Sequence, residues 1–344
     1  MQITKITEAL LTKKVLVTIP HGNVKDTFMP EHVCRYLERF FDVDYNETSA
    51  QYTTEELKNL LPGYDAVITG WGTRTISGDT AGDRLKLIVH TGGTVANLVD
   101  DSTYGRGITV LSGNRHYAES VAEGTIAYIL TAQRRIPDYI SSVRNGGWRT
   151  EASVWEGLLG KTVGIVGMGT ISRLLIPLLV PFRVKIKYFS HYPVEKEFEG
   201  KYGLERISIE ELFSTSDIVT VHSALNTDNR GLIGKELFAL LKDNALFVNT
   251  SRGDVIDEDS LIEALKENRF RALIDVYHKE PLPDDSPLRT LPNVYPIPHM
   301  AGPTLDLREH ITHALIDDMV RFFDGEKHPA LEITREMSLR MTKH

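Results

Sequence analysis

Cysteine is almost absent: Cys34 is the single one in 344 residues. That excludes a disulfide framework within the chain and suits a reducing compartment. No apolar run approaches the roughly 18 residues that a membrane span needs. The opening Met-Gln-Ile-Thr-Lys carries no secretory hydrophobic region, so a cytoplasmic protein is expected. Surplus positive charge is missing too. Lys and Arg total 39 against 47 Asp and Glu, a net charge of −8, which argues against nucleic acid or an anionic membrane as a partner. No Cys/His cluster has ligand spacing, so no metal is expected. Short repeats and low-complexity tracts are lacking. What remains is an ordinary globular composition in a chain too long for one small core, and two domains are expected.

The chain alternates strands and helices. Val15–Ile19, Val43–Tyr45, Ala66–Thr69 and Leu87–Val89 read as strands. Pro30 opens an amphipathic helix to Phe41, in which Cys34 reads as a small core residue. Thr53-Thr54-Glu55-Glu56 starts another helix, stopped by Pro62-Gly63. A long helix is expected from Ser120 to Ile136, then a turn at Arg144–Trp148. Six further strands follow: Thr162–Val166, Val184–Phe189, Asp217–Val221, Ala245–Asn249, Ala272–Val276 and Val294–Ile297. Helices at Ile171–Leu179, Ile209–Phe213, Lys235–Leu241 and around Leu261–Leu265 separate most of them. Strands joined by helical crossovers imply parallel sheets, and six of them describe a nucleotide-binding sheet. A last helix is expected at Leu305–Phe323, and the polar stretch from Ser338 onward is expected to fray.

Gly167-Met168-Gly169-Thr170-Ile171-Ser172 leaves a strand and opens a helix. The first glycine permits a tight turn, and the second lets the backbone approach a pyrophosphate seated on the helix N-terminus. Ser172 replaces the usual third glycine and stays small enough for strand–helix packing. An acid normally ends the next strand, about 20 positions on, to hold the adenosine ribose. Here Ser190 stands 21 positions after Gly169, followed by His191. No carboxylate repels a 2′-phosphate, so strict NAD preference is not supported, and NAD and NADP both stay open.

In open parallel sheets, ligands lie beyond the carboxyl ends of the strands. Those ends carry His222, then Thr250-Ser251-Arg252-Gly253, then Asp275 and a loop to Glu280-Pro281, then Pro298-His299. The set is coherent for carbonyl reduction. A histidine can give the proton, a carboxylate can hold the imidazolium, and an arginine can grip a substrate carboxylate and polarise the carbonyl. Singly, each has a structural reading: a histidine in a turn, a surface ion pair, a solvated acid. Jointly, on successive strand ends, they favour function.

These segments resemble the D-isomer-specific 2-hydroxyacid dehydrogenase family, from about Leu85 to Thr304, most closely in Gly160–Ile171, Ser216–Ile233, Phe247–Leu265, Ile274–Leu282 and Asn293–Thr304. The resemblance implies two doubly wound α/β domains. One is a Rossmann cofactor domain over 116–304. The other is a discontinuous flavodoxin-like substrate domain over 1–115 and 305–344. It implies a homodimer through the cofactor domain and a small 2-keto or 2-hydroxy acid as substrate. Arg252 matches the substrate-binding arginine, Glu280 the histidine-orienting acid and His299 the general acid/base. Cofactor contacts are implied at Gly167, Gly169, Thr170, Ile171, Ser190, His191, His222, Ser223, Ala224, Asn229, Thr250, Ser251 and Gly302, and at Asp275 beside the nicotinamide amide. Gly92-Gly93-Thr94, with nearby Trp71, matches the substrate loop, whose backbone N–H groups bind the substrate carboxylate.

Ala224 departs from the proline common after His222, and the loop around His90 and Thr94 is less typical. Glu280 argues against a formate dehydrogenase, which pairs its histidine with glutamine. Gly93 argues against a phosphite dehydrogenase, which carries lysine there. A corepressor or NAD(H)-sensing scaffold on the same fold is the competing expectation.

Overall fold

The computed structural model describes residues 10–150, 154–226 and 228–342. Two compact units divide the chain. One runs up to Tyr117 and resumes at Pro303; the other is Ala118–Gly302.

The first unit holds five strands: β1 (Lys14–Val17), β2 (Asp42–Tyr45), β3 (Ala66–Thr69), β4 (Leu87–His90) and β5 (Thr109–Ser112). All neighbours pair in parallel, in the order β2-β1-β3-β4-β5. That is the flavodoxin-like order. The two-residue period of a strand sorts its side chains between two apolar layers. Val15, Val17, Ile68 and Val89 face one layer with Phe28, Leu37, Leu315 and Met319. Leu16, Val67, Ile88 and Val110 face the other with Leu57, Leu61 and Leu98. Helix Leu305–Phe323 thus belongs to the first layer, through Ile311, Leu315, Ile316 and Met319. Thr53 and Glu56 form a complete capping box on helix Thr54–Leu60.

Strand β5 is an addition to the expected elements. With only Val110 and Leu111 apolar, it offers no periodicity to read, although Gly107 and Gly113 bracket it. The C-terminal stretch also differs from expectation. Arg335–Leu339 is helical, capped by Thr334, and Ser338 and Thr342 are buried. Ile333 N–H donates to Val110 O, and Arg335 forks onto Asp101 through two 2.8 Å bonds. These tertiary contacts order a segment whose polarity alone suggests fraying; residues 343–344 lie outside the described residues.

The second unit holds β6 (Thr162–Val166), β7 (Lys185–Phe189), β8 (Glu205–Arg206), β9 (Ile218–Val221), β10 (Leu246–Asn249), β11 (Arg271–Ile274) and β12 (Val294–Pro296). The order is β12-β11-β10-β9-β6-β7-β8, parallel throughout. The chain direction across the sheet reverses between β6 and β9, which opens the ligand crevice of this topology. Seven strands stand where six were expected. β8 has two exposed residues, Glu205 and Arg206, and so no apolar signal.

The long helix starts earlier than expected, at Asn114, and ends at Gln133. Arg135 then adopts a left-handed φ of 52°, and a new helix, Ile136–Arg144, begins with Pro137 in its first turn. Pro137 has no N–H to bond Gln133 O four residues back and its ring would clash there, which accounts for the break. Among the described residues no helix is long and apolar enough to cross a membrane.

Candidate active site

The carboxyl edge of the second sheet is built by close backbone approaches. At Gly167, φ is 94°, and a Cβ there would lie 2.8 Å from the backbone nitrogen of Ser223. Only glycine makes this turn, so β6 and the β9 loop meet there. Helix Thr170–Leu179 follows, with no side-chain cap on its first turn and open space at Gly169. Its first N–H groups therefore offer an anion seat, with Thr170 and Ile171 in the first turn. Ser172 is fully buried and donates to Gly167 O at 2.6 Å. Serine at this position thus ties the turn together rather than merely fitting it.

Beyond β7, Ser190 Oγ accepts the Tyr192 N–H at 3.2 Å, and the exposed His191 ring stands edge-on to Phe189. Arg206 Nη2 donates to Ser190 O at 2.8 Å. Reading the sequence alone missed Arg206, which reaches the end of β7 only because β8 pairs there. An arginine at this place can meet a 2′-phosphate.

The β9 end commits more of its polar atoms to the protein. Asn229 Nδ2 donates to Ala224 O at 2.6 Å and its Oδ1 accepts from Asn226 N, so it shapes the loop that carries the exposed Ala224. His222 is buried with Nε2 2.9 Å from Thr220 Oγ1, and burial holds its pKa down at about 3. It is neutral at ordinary pH. Ser223 Oγ reaches Val166 O, and Ser120 Oγ donates to Gly302 O.

At the β10 end, Ser251 donates to Asn249 Oδ1, and Thr250 lies 3.3 Å from Thr125. Gly253 admits the backbone of Tyr277–His278 into the space a Cβ would occupy. This contact brings the Arg252 turn against the loop bearing Glu280. Arg252 Nη1 donates to Ser251 O at 2.7 Å. Burial pushes its guanidinium below the ordinary value, while the Glu280 charge pulls the other way.

Glu280 is held at both oxygens. Oε1 accepts the Tyr277 N–H at 3.0 Å, and Oε2 lies 2.6 Å from His299 Nδ1. His299 has a left-handed φ of 52°, a conformation unusual for a side chain of this size. Asp275 stabilises the turn: it is fully buried and accepts Met300 N–H at 2.7 Å and Ala301 N–H at 2.9 Å. Burial raises the Asp275 pKa, and the two N–H donors oppose that rise. Arg252, Glu280, His299 and Asp275 thus share one edge of one unit. With Nδ1 facing Glu280, His299 presents Nε2 outward from an exposed ring.

The Gly92-Gly93-Thr94 loop lies at the carboxyl end of β4 in the first unit. Ser112 Oγ donates to the carbonyls of both Gly92 and Gly93, and Asn114 Nδ2 also donates to Gly93 O. In a trans peptide the N–H points opposite its carbonyl. The N–H groups of Gly93 and Thr94 therefore face away from Ser112. Thr94 Oγ1 itself donates to Thr342 O. Trp71 is 42% exposed in the same unit.

A family profile described as "D-isomer specific 2-hydroxyacid dehydrogenase, NAD binding domain" matches residues 126–301. The chain belongs to this family. It is 32% identical to the D-3-phosphoglycerate dehydrogenase of Methanocaldococcus jannaschii over 91% of its own length and 58% of that protein's. The human glyoxylate reductase/hydroxypyruvate reductase is 33% identical over 73% of this chain and 78% of that protein. A solved structure of a Pyrococcus horikoshii protein covers 94% of this chain and 96% of its own, with 27% identity and a TM-score of 0.76. The chain spans little more than half the length of two phosphoglycerate dehydrogenases it matches, 58% and 53%.

Proposed function

We propose that this protein is an NAD(P)H-dependent dehydrogenase that reduces a small 2-keto acid to a D-2-hydroxy acid, or runs the reverse. The observation that carries this reading is the 2.6 Å contact of His299 Nδ1 with Glu280 Oε2 on the sheet edge that also bears Arg252. When bound, the nicotinamide supplies the hydride in reduction and takes it in oxidation. Gly167, Gly169, Thr170 and Ile171 fit a dinucleotide, because the turn leaves uncapped N–H groups open at the helix start.

In this reading His299 donates its Nε2 proton to the carbonyl oxygen as the carbon is reduced, and recovers it in the reverse direction. Glu280 fixes the ring orientation through its contact with Nδ1. Arg252 orients the substrate carboxylate and polarises the carbonyl. The Gly93 and Thr94 N–H groups, in the first unit, match the segment that the resemblance implies binds a substrate carboxylate. Glyoxylate and hydroxypyruvate, named in a relative's activity, are the first substrates to try. NADPH is accepted in this reading, because Ser190, His191 and Arg206 put no carboxylate at the ribose position.

The active form is proposed to be a homodimer. Ile136, Ile140 and Val143 line one face of helix Ile136–Arg144 and are 43%, 47% and 52% exposed. An apolar stripe of this kind marks a partner surface. An Ile140→Asp chain running as a monomer beside a dimeric wild type in light scattering supports this; a monomeric wild type refutes it.

The deciding experiment follows oxidation of NADH and of NADPH, separately, over glyoxylate, hydroxypyruvate, pyruvate, phenylpyruvate and branched 2-keto acids. Turnover of any of them supports the reaction class. Absence of turnover, in protein shown to bind the cofactor, moves the reading to a cofactor-sensing scaffold.

A further inference from the structure

Arg308 lies near the start of helix Leu305–Phe323, in the same unit as the Gly92–Thr94 loop. Its guanidinium carbon is 5.1 Å from the centroid of the Trp71 ring and 5.3 Å from that of Phe28. Those rings meet edge to face at 5.2 Å, and Trp71 meets Tyr117 likewise at 6.3 Å. Tyr117 in turn lines the substrate loop: a Cβ at Gly93 would lie 3.1 Å from Tyr117 Cδ1. Contacts therefore run unbroken from Gly93 through Tyr117 and Trp71 to Arg308.

The guanidinium is poorly satisfied by the protein. Nη1 donates to Thr27 Oγ1 at 3.1 Å, a neutral acceptor. Nε is buried and has no hydrogen-bond partner among the described residues. Arginines with structural duty elsewhere are bonded differently. Arg271 takes Ala132 O and Gln133 Oε1, and Arg84 takes Asp65 through two nitrogens. A guanidinium offers five donors, and leaving a buried one unmet is costly. Aromatic faces hold its plane and stabilise its charge without using its N–H groups. Trp71 remains 42% exposed, so the cluster opens to solvent.

We propose that Arg308, steadied by Trp71 and Phe28, is a specificity residue that binds a second anionic group, carboxylate or phosphate, at the far end of the 2-keto acid. This rests on the reading that the Gly93 and Thr94 N–H groups take the substrate's first carboxylate. That carboxylate is served at Gly93, whereas Arg308 lies beyond two aromatic rings. The group that meets it belongs to the substrate's other end. Short neutral-tailed acids leave it unused.

The test compares matched pairs of substrates. One pair is 2-oxoglutarate against 2-oxopentanoate, of equal chain length. The other is 3-phosphohydroxypyruvate against hydroxypyruvate. In at least one pair the anionic member is expected to show about tenfold or greater kcat/KM, and the responsive pair tells carboxylate from phosphate. Arg308→Met is expected to bring that ratio close to one, and Arg308→Lys to keep part of it. Thermal melting of both variants guards against misfolding, and Arg308→Lys retains the charge if Arg308→Met does not fold. A wild type without preference in either pair, or an Arg308→Met that keeps the preference, overturns the assignment. If no 2-keto acid is reduced at all, the dehydrogenase reading fails separately. Calorimetric titration with glutarate against pentanoate then decides for Arg308: tighter glutarate binding lost in Arg308→Met supports the site, and equal binding removes it.

Discussion

Oδ1 of Asp275 accepts the backbone N–H of Met300 at 2.7 Å, the residue next to His299. Oδ2 does the same for Ala301 at 2.9 Å. A buried carboxylate on β11's loop thereby holds the turn that gives His299 its left-handed backbone. The resemblance implies a place for this acid beside the nicotinamide amide; Oδ1 also takes the Tyr128 hydroxyl at 3.4 Å, and Oδ2 keeps a second lone pair for such a donor.

Asp275→Asn replaces one acceptor with an N–H donor that faces another N–H. Losing a charged acceptor in a buried place costs about 1–3 kcal/mol, and here the loss loosens the histidine turn. We expect kcat to fall by roughly tenfold or more, with the KM for the cofactor changed less than threefold. A cofactor KM that rises as much as kcat falls would place Asp275 on the cofactor instead.

His299→Ala should lower turnover by at least about a hundredfold, the usual scale for a removed general acid, while cofactor binding by fluorescence titration survives. Glu280→Gln should fall between this variant and wild type, because the amide still bonds Nδ1 but carries no charge. Turnover of His299→Ala within a few-fold of wild type would falsify the assignment.

Cofactor choice hangs on the ends of β7 and β8. Arg206→Ala should raise the KM for NADPH several-fold and leave that for NADH nearly unchanged, since only NADPH carries a 2′-phosphate. Ser190→Asp should shift preference toward NADH by repelling that phosphate. An unchanged NADH/NADPH ratio in both variants means that the ribose lies elsewhere.

The shared position of the candidate residues on one sheet edge was legible in the sequence for a physical reason. In a parallel sheet every strand ends on the same side, so Arg252, Glu280 and His299 can be read off successive strand ends without knowing any contact. Apolar runs such as Leu246–Asn249 mark buried strands wherever the run is long enough. Strand β8 has no apolar residue, and β5 has two, so neither carries that signal. Arg206 and Arg308 were illegible for another reason. Each meets neighbours far along the chain: Ser190 for the first, Phe28 and Trp71 for the second. The ordered C-terminal turn at Arg335–Leu339 depends likewise on Asp101 and Val110, and local polarity pointed the wrong way.

Two buried histidines, one in each unit, make a prediction about acid stability. Thr69 Oγ1 donates to Val89 O, so it accepts from His90 Nδ1–H, which fixes the tautomer of the neutral ring. Burial holds the pKa of His90 down at about 4 and that of His222 at about 3. In the unfolded chain both titrate near 6.5. Below that pH the unfolded state takes up protons that the folded state refuses. The stabilising contribution is therefore whole above about pH 6.5 and is lost as pH falls toward the folded values. At about 1.4 kcal/mol per pKa unit, His90 alone accounts for about 3 kcal/mol by pH 4. The carboxylates of Asp65 and Asp217, held low by their cation and N–H partners, keep their contribution until pH falls below about 4. Across the window between pH 6.5 and 4.5 the histidines thus lower stability as pH falls, while Asp275, raised by burial, acts in the opposite direction, so the histidine variants carry the test. Urea unfolding should show midpoints dropping across it, with the drop reduced in His90→Gln for the first unit and in His222→Gln for the second. A change in midpoint from pH 7 to 4.5 that is the same in wild type and both variants would show that these rings are already charged, or already wet, in the folded protein.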